Sequence, residues 1–156
     1  MILRSATITE LWKSARSHAE PGPPRRGPGT ARIDLALRAY RAAGHRAVRI
    51  LDLDCGNGDR LFHAAERARA LGFVAIEGRG SSLSTAGIRH ARRRAANENH
   101  PSTDLHFEVA APIELLASEH DGAADLVLLA EPKPYPASPL AVALERVCIG
   151  EVLGEA

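Results

Sequence analysis

The stretch VRILDLDCGNGDRL, Val48 to Leu61, decides how this chain folds. An apolar run ends in an acid, Asp52. Two glycines, Gly56 and Gly58, follow at once, and a helical pattern begins after them. That order predicts a buried strand, a tight glycine bend and a helix, the geometry by which open α/β sheets seat nucleotide-like ligands. Asp52 narrows the chemistry. A carboxylate at a strand tip accepts hydrogen bonds and attracts cations, and it repels a phosphate packed against it. The tip suits a ligand with an ammonium group and ribose hydroxyls better than one with a pyrophosphate.

Working outward, strand and helix patterns alternate. A helix is expected from Ala31 to Ala43, with Ile33, Leu37 and Tyr40 on one side and Gly44 as its stop. Strand one runs from about Ala47 to Asp52. Helix two, about Asp59 to Leu71, carries an apolar stripe of Leu61, Ala64, Ala65, Ala68 and Leu71. Strand two is read as Phe73 to Glu77, and helix three as Ser82 to about Asn97. Strand three covers Leu105 to Val109, a short helix Pro112 to Ser118, and strand four Asp125 to Ala130. A last helix follows Ser138. This alternation predicts an α/β fold: a Rossmann-like open parallel sheet with right-handed crossovers and helices on both faces.

The front of the chain reads differently. Ile8 to Ala19 could form a short helix capped by Thr9. Pro21 to Gly29 holds four prolines and three glycines, which neither a helix nor a central strand tolerates. Residues 1–29 are therefore read as an arm and linker, and residues 30–156 as the globular domain.

Composition excludes several classes. The chain has 156 residues, 45% of them apolar and 25% charged, with a formal net charge of +1. No overall field draws in nucleic acid or an anionic membrane, so neither is expected as a partner. No apolar run approaches the ~18 residues of a membrane span, and the N-terminus lacks a signal-peptide core. Cys55 and Cys148 support neither a disulfide framework nor a zinc site, and two reduced thiols suit the cytoplasm. His63, His90, His100 and His106 lack metal-ligand spacing, so no metal is expected. Asp52-x-Asp54-x-Gly56 is not a calcium loop, because Asn57 and His63 stand where an EF-hand needs glycine and glutamate. The run HARRR, His90 to Arg94, is the solvated face of a helix.

Taken together, these residues resemble the class I S-adenosylmethionine-dependent methyltransferases, over Ala31 to about Pro132. LDLDCGNG is similar to the family's first motif, hydrophobic-D-x-G-x-G-x-G. The resemblance implies S-adenosylmethionine as cofactor, with Asp52 holding its methionine end and Gly56 and Gly58 letting the backbone approach it. Glu77, closing VAIE, looks like the acid that grips the two ribose hydroxyls. Asn57, Gly78, Ala110 and Ala111 complete the cofactor-binding set the resemblance implies. No catalytic residue is assigned. In AEPKPYP, Glu131 and Tyr135 faintly resemble a motif of amino-methylating members, although Lys133 interrupts it.

The sequence departs from the family in three ways. Asp54 replaces the first glycine and sets a second carboxylate beside the cofactor. No acid stands in Val109-Ala110-Ala111-Pro112 to take the adenine amine. After strand four only enough chain remains for a loop and one helix, so strand four is expected as an exposed apolar edge unless the last helix, a partner chain or a second copy in a homodimer covers it. The expected activity is methyl transfer to a small molecule. The alternative is a catalytically inactive binding or dimerisation module of the same fold. A nicotinamide-dependent oxidoreductase is disfavoured by Leu61, which stands where its fingerprint needs glycine.

Overall fold

A computed structural model describes residues 28–130, 134 and 137–154. The expected N-terminal helix, most of the linker, Glu131 and Tyr135 lie outside them. Among the described residues five helices and five strands alternate: α1 Pro28–Ala42, β1 Ala47–Leu53, α2 Asp59–Ala70, β2 Ala75–Ser82, α3 Thr85–Asn97, β3 Thr103–Val109, α4 Pro112–Ala117, β4 Ala124–Leu129, α5 Pro139–Val147 and β5 Cys148–Gly154. The strands form one parallel sheet in the order β3-β2-β1-β4-β5. The expected α/β class holds.

Period-two alternation divides β1 between two cores. Val48 and Ile50 join Leu126 and Leu128 under α1, α2 and α3, where Leu37, Leu61, Ala65 and Ile88 close the layer. Leu51 and Leu53 join Val127 and Leu129 under α4 and α5, where Leu115, Leu116, Leu144 and Val147 pack. Covered on both faces, β1 and β4 read as nearly unbroken apolar runs.

Two elements differ from the sequence expectation. The first is β2, which continues five residues past Glu77 to Ser82. Gly78 and Gly80 suggest a turn, yet both lie inside the strand because side chains press on its backbone. A Cβ on Gly78 would lie 2.6 Å from Leu105 Cδ2, and one on Gly80 2.9 Å from both Cys55 Sγ and Phe107 Cδ1. Glycine here marks close approach, not a bend.

The second is the C-terminus. Cys148 does not continue the last helix. It starts β5, which pairs with β4 from Ala124 to Leu129. The β4 edge expected to lie exposed is therefore covered, and the site foreseen for a dimer contact is filled by the chain itself. Strand β5 escapes a sequence reading because its first residues are half-buried or exposed and only Leu153 and Gly154 are buried.

Gly150 fixes how β5 docks. The Tyr40 hydroxyl donates to the Asp125 carbonyl at 3.0 Å. A Cβ on Gly150 would fall inside both groups. The carbonyl is backbone and cannot swing away. Gly150→Ala should therefore cost about 2–3 kcal/mol, in the range of overpacked sites, and lower the melting temperature by roughly 5–10 °C. Adding Tyr40→Phe should not restore it, since the Asp125 carbonyl remains. A melting curve unchanged by Gly150→Ala would contradict this docking.

Candidate functional site

The carboxyl ends of β1, β2 and β3 lie side by side, because Asp52 pairs with Gly80 and Ser82 with Val109. Across this edge runs the bend from Asp54 to Gly58. The Cys55 N–H donates to the Ser81 carbonyl at 2.7 Å and fastens the bend to β2, while Gly58 N–H closes a turn on the Cys55 carbonyl at 2.8 Å. Asp54, Gly56 and Gly58 have φ of 62°, 57° and 87°. Glycine adopts such values freely, whereas at Asp54 they carry a strain that aspartate bears better than most residues. At Gly58 a Cβ would also meet Phe107 Cε1 at 2.8 Å. At Gly56 it would meet no atom within 4 Å. The bend is packed from beneath and open at Gly56.

Asp52 stands at the strand tip and is fully buried. A buried carboxylate needs a cation or several donors. The chain provides one: Arg60 Nη2 donates to Asp52 Oδ1 at 2.6 Å. The same nitrogen lies 3.3 Å from the Leu53 carbonyl and 3.3 Å from the Asp54 carbonyl. Asp52 is thus paired with a guanidinium of the protein, where the resemblance implied a cofactor amine.

Glu77 is not at this edge. It pairs in register with Arg49, the third residue of β1, and its carboxylate accepts from Arg49 Nη1 at 2.9 Å. Ser82 lies five positions further along the strand, about 16 Å at ~3.3 Å per strand residue. Gly78 is likewise inside the strand, under Leu105. Arg49 also donates to Glu119 at 2.7 Å, and Arg79 joins the buried Glu119 to Glu108. Glu77 belongs to this structural network, which binds β1, β2 and β3 to the end of α4.

At the tip of β2 stands Ser82, which is buried and was missed in the sequence. Its hydroxyl donates to Asp54 Oδ1 at 3.1 Å and accepts from Ser84 N–H at 3.2 Å. Asp54, standing where the family has glycine, therefore delivers a carboxylate to the end of β2, where the resemblance implied Glu77. Ser84, which caps α3 by accepting from Gly87 N–H, was the available signal: a strand ending just before that cap ends at Ser82.

Ala110 and Ala111 follow β3 as expected. The Ala111 N–H donates to Glu114 Oε2 at 2.8 Å at the start of α4. Around them Leu83, Val109 and Ile113 are 70%, 48% and 41% exposed. Three large apolar side chains at one end of a sheet offer surface to a flat ring. Asn57 is exposed on the bend.

Two further grooves lie away from the bend. One, of about 470 Å³, runs between α3 and β3 past Arg92, Asn99 and His106. The other, of about 410 Å³, sits at the amino ends of the strands beside Arg49, Glu77 and Asp125. Among the described residues no group of three or more His, Cys, Asp or Glu is placed to hold a metal ion. No described helix is long and apolar enough to cross a membrane.

Comparison with solved structures completes the description. A provisionally assigned S-adenosyl-L-methionine-dependent methyltransferase from Methanococcus maripaludis superposes with a TM-score of 0.56 at 15% identity, over 81% of this chain and 57% of its own. A provisionally assigned methylase from Haemophilus influenzae gives 0.55 at 15% identity, over 79% of this chain and 71% of its own. WbdD gives 0.51 at 24% identity, over 65% of this chain and 19% of its own. The chain shares its Rossmann-like fold with these proteins. No protein-family model and no curated protein matches the sequence. The chain spans 57% of the length of the Methanococcus methyltransferase. Against a cofactor of that kind, the adenosyl end fits this edge: an open bend at Gly56, a carboxylate at Asp54 beside Ser82, and exposed apolar side chains. Asp52, to which the resemblance assigns the methionine end, is paired with Arg60.

The bend also sets the chemistry of Cys55. Burial first, and then the nearby Asp52 charge, push its thiol up from the ordinary 9.0 to about 12. At pH 8 its thiolate fraction is on the order of one in ten thousand. In the folded protein at pH 8 Cys55 should resist iodoacetamide, and in denaturant both cysteines should react. Below pH 9 the thiol is protonated in folded and unfolded chains alike. From pH 9 towards 12 only the unfolded chain releases that proton, so stability should fall with rising pH. Cys55→Ala should lose this part of the alkaline slope in denaturant titrations. Rapid native labelling at Cys55 would contradict the placement.

Proposed function

We propose that this chain is an S-adenosylmethionine-dependent methyltransferase domain acting on a small molecule in the cytoplasm. The observation that carries the reading is the open, positive-φ bend at Gly56, set at the carboxyl edge of a β3-β2-β1-β4-β5 sheet beside the buried Asp52. Ligands of such sheets bind where neighbouring crossovers diverge, here on either side of β1. Bound there, the cofactor would supply an electrophilic methyl group on its sulfonium. The protein's own part is binding and orientation. Asp54, steadied by Ser82, accepts the ribose hydroxyls. Leu83, Val109 and Ile113 pack on the base and exclude water from it. The Gly56 backbone admits the ligand without a side chain in the way. Positioning of this kind is the main contribution a protein makes to a transfer whose reactivity resides in the cofactor.

A second reading has specific support. The Asp52–Arg60 pair and the displacement of Glu77 are what a non-catalytic module of this fold would show. Calorimetric titration separates the two. The methyltransferase reading requires a folded protein that binds S-adenosylmethionine and S-adenosylhomocysteine, and absence of binding to both supports the module.

Asp54→Gly isolates the role given to the bend. It removes the strain at φ 62°, so stability should hold or rise by up to about 1 kcal/mol. It also removes a charged acceptor worth about 1.5–3 kcal/mol to a hydroxyl, so adenosyl affinity should fall roughly 10- to 100-fold. A variant that binds as well as the parent protein would remove Asp54 from the site.

A further inference from the structure

Three oxygens converge on one nitrogen at the tip of β1: Asp52 Oδ1 at 2.6 Å, and the Leu53 and Asp54 carbonyls at 3.3 Å each. That set of acceptors is the environment of a primary ammonium, which offers three N–H groups, one for each oxygen. The group found there is an Nη2 of Arg60, which offers two. One contact is correspondingly short and two are long. Two cations cannot share this nest, because their repulsion in a partly buried site is not screened by water. Arg60 is also the second residue of α2, and a cation in the first helical turn opposes the helix dipole. Asp52 and the two carbonyls draw it there.

We infer that Arg60 is a specificity-determining residue that occupies the ammonium position of the ligand site, so that the resting protein reads the adenosyl part of a ligand and gains nothing from an amino-acid amine. The inference rests on the adenosyl-binding reading given above. A ligand carrying an α-ammonium must first turn Arg60 away from Asp52. A 5′-thioether of adenosine without the amino-acid tail meets no such competitor. Arg60 thereby levels the affinities of the two ligand classes, and its removal opens the nest.

The test compares S-adenosylhomocysteine with 5′-deoxy-5′-methylthioadenosine, which share the adenosyl thioether and differ in the amino-acid tail. In the parent protein their calorimetric dissociation constants should agree within about threefold. In Arg60→Ala, S-adenosylhomocysteine should bind at least tenfold tighter than in the parent protein, with methylthioadenosine unchanged. Arg60→Gln keeps much of the side chain's shape without its charge and should shift the ratio the same way. It serves if the alanine variant does not fold. Three results overturn the inference alone: a parent protein that already prefers S-adenosylhomocysteine tenfold or more, a ratio unmoved by both variants, or weaker S-adenosylhomocysteine binding in the variants, which would make Arg60 a carboxylate clamp. Absence of binding by both ligands to the folded parent protein and its variants overturns the adenosyl reading and this inference with it.

Discussion

A fully buried carboxylate at the end of the central strand is the constraint from which the rest follows. Asp52 cannot stay charged in the interior without a partner, and breaking such a pair typically costs about 3–5 kcal/mol. Arg60 reaches it from the first turn of α2 because the chain reverses within five residues, Asp54 to Gly58. That reversal demands positive φ at three of them. Strand tip, bend, helix start and cation thus form one unit. The packing beneath it is equally strict, since Phe107 fills the space a side chain at Gly58 or Gly80 would need. The edge is tightly packed below and open at Gly56.

The arrangement separates two roles that one type of residue could have filled. Glu77 and Asp54 are both carboxylates near β2. Glu77 joins Arg49, Arg79 and Glu119 in the network that secures three strands to the end of α4. Asp54 tolerates a left-handed backbone and points its oxygen at Ser82. The first is a structural charge and the second stands at the carboxyl edge proposed for the ligand. Strain held at a position of this kind is a pointer to function.

The central part of this fold was legible because its signals are redundant. Strand β1, the bend and α2 carry apolar periodicity, glycines and a strand-closing acid that agree with one another, and their bounds came out within a residue or two. Strand β2 was not legible because Gly78 and Gly80 are there for side chains of other elements, Leu105, Phe107 and Cys55, and tertiary pressure leaves no local mark. The misplaced end of β2 then set Glu77 at the strand tip and hid Ser82. Strand β5 was missed for a similar reason. Its glycines and mostly unburied residues read as a tail, and only its pairing with β4 and the fit of Gly150 against Tyr40 make it a strand. The pairing of Asp52 with Arg60 could be suspected from a cation eight residues on, but sequence does not say whether a buried acid meets the protein's own charge or a ligand's.

The most direct test of the ligand edge is an amide chemical-shift titration of the ¹⁵N-labelled protein with adenosine. The account predicts that the resonances that move most are those of Gly56, Gly58, Ser82, Leu83 and Ala110, which ring the carboxyl ends of β1, β2 and β3. Shifts confined to the groove beside Arg92, Asn99 and His106, or to the strand starts around Glu77, would contradict it.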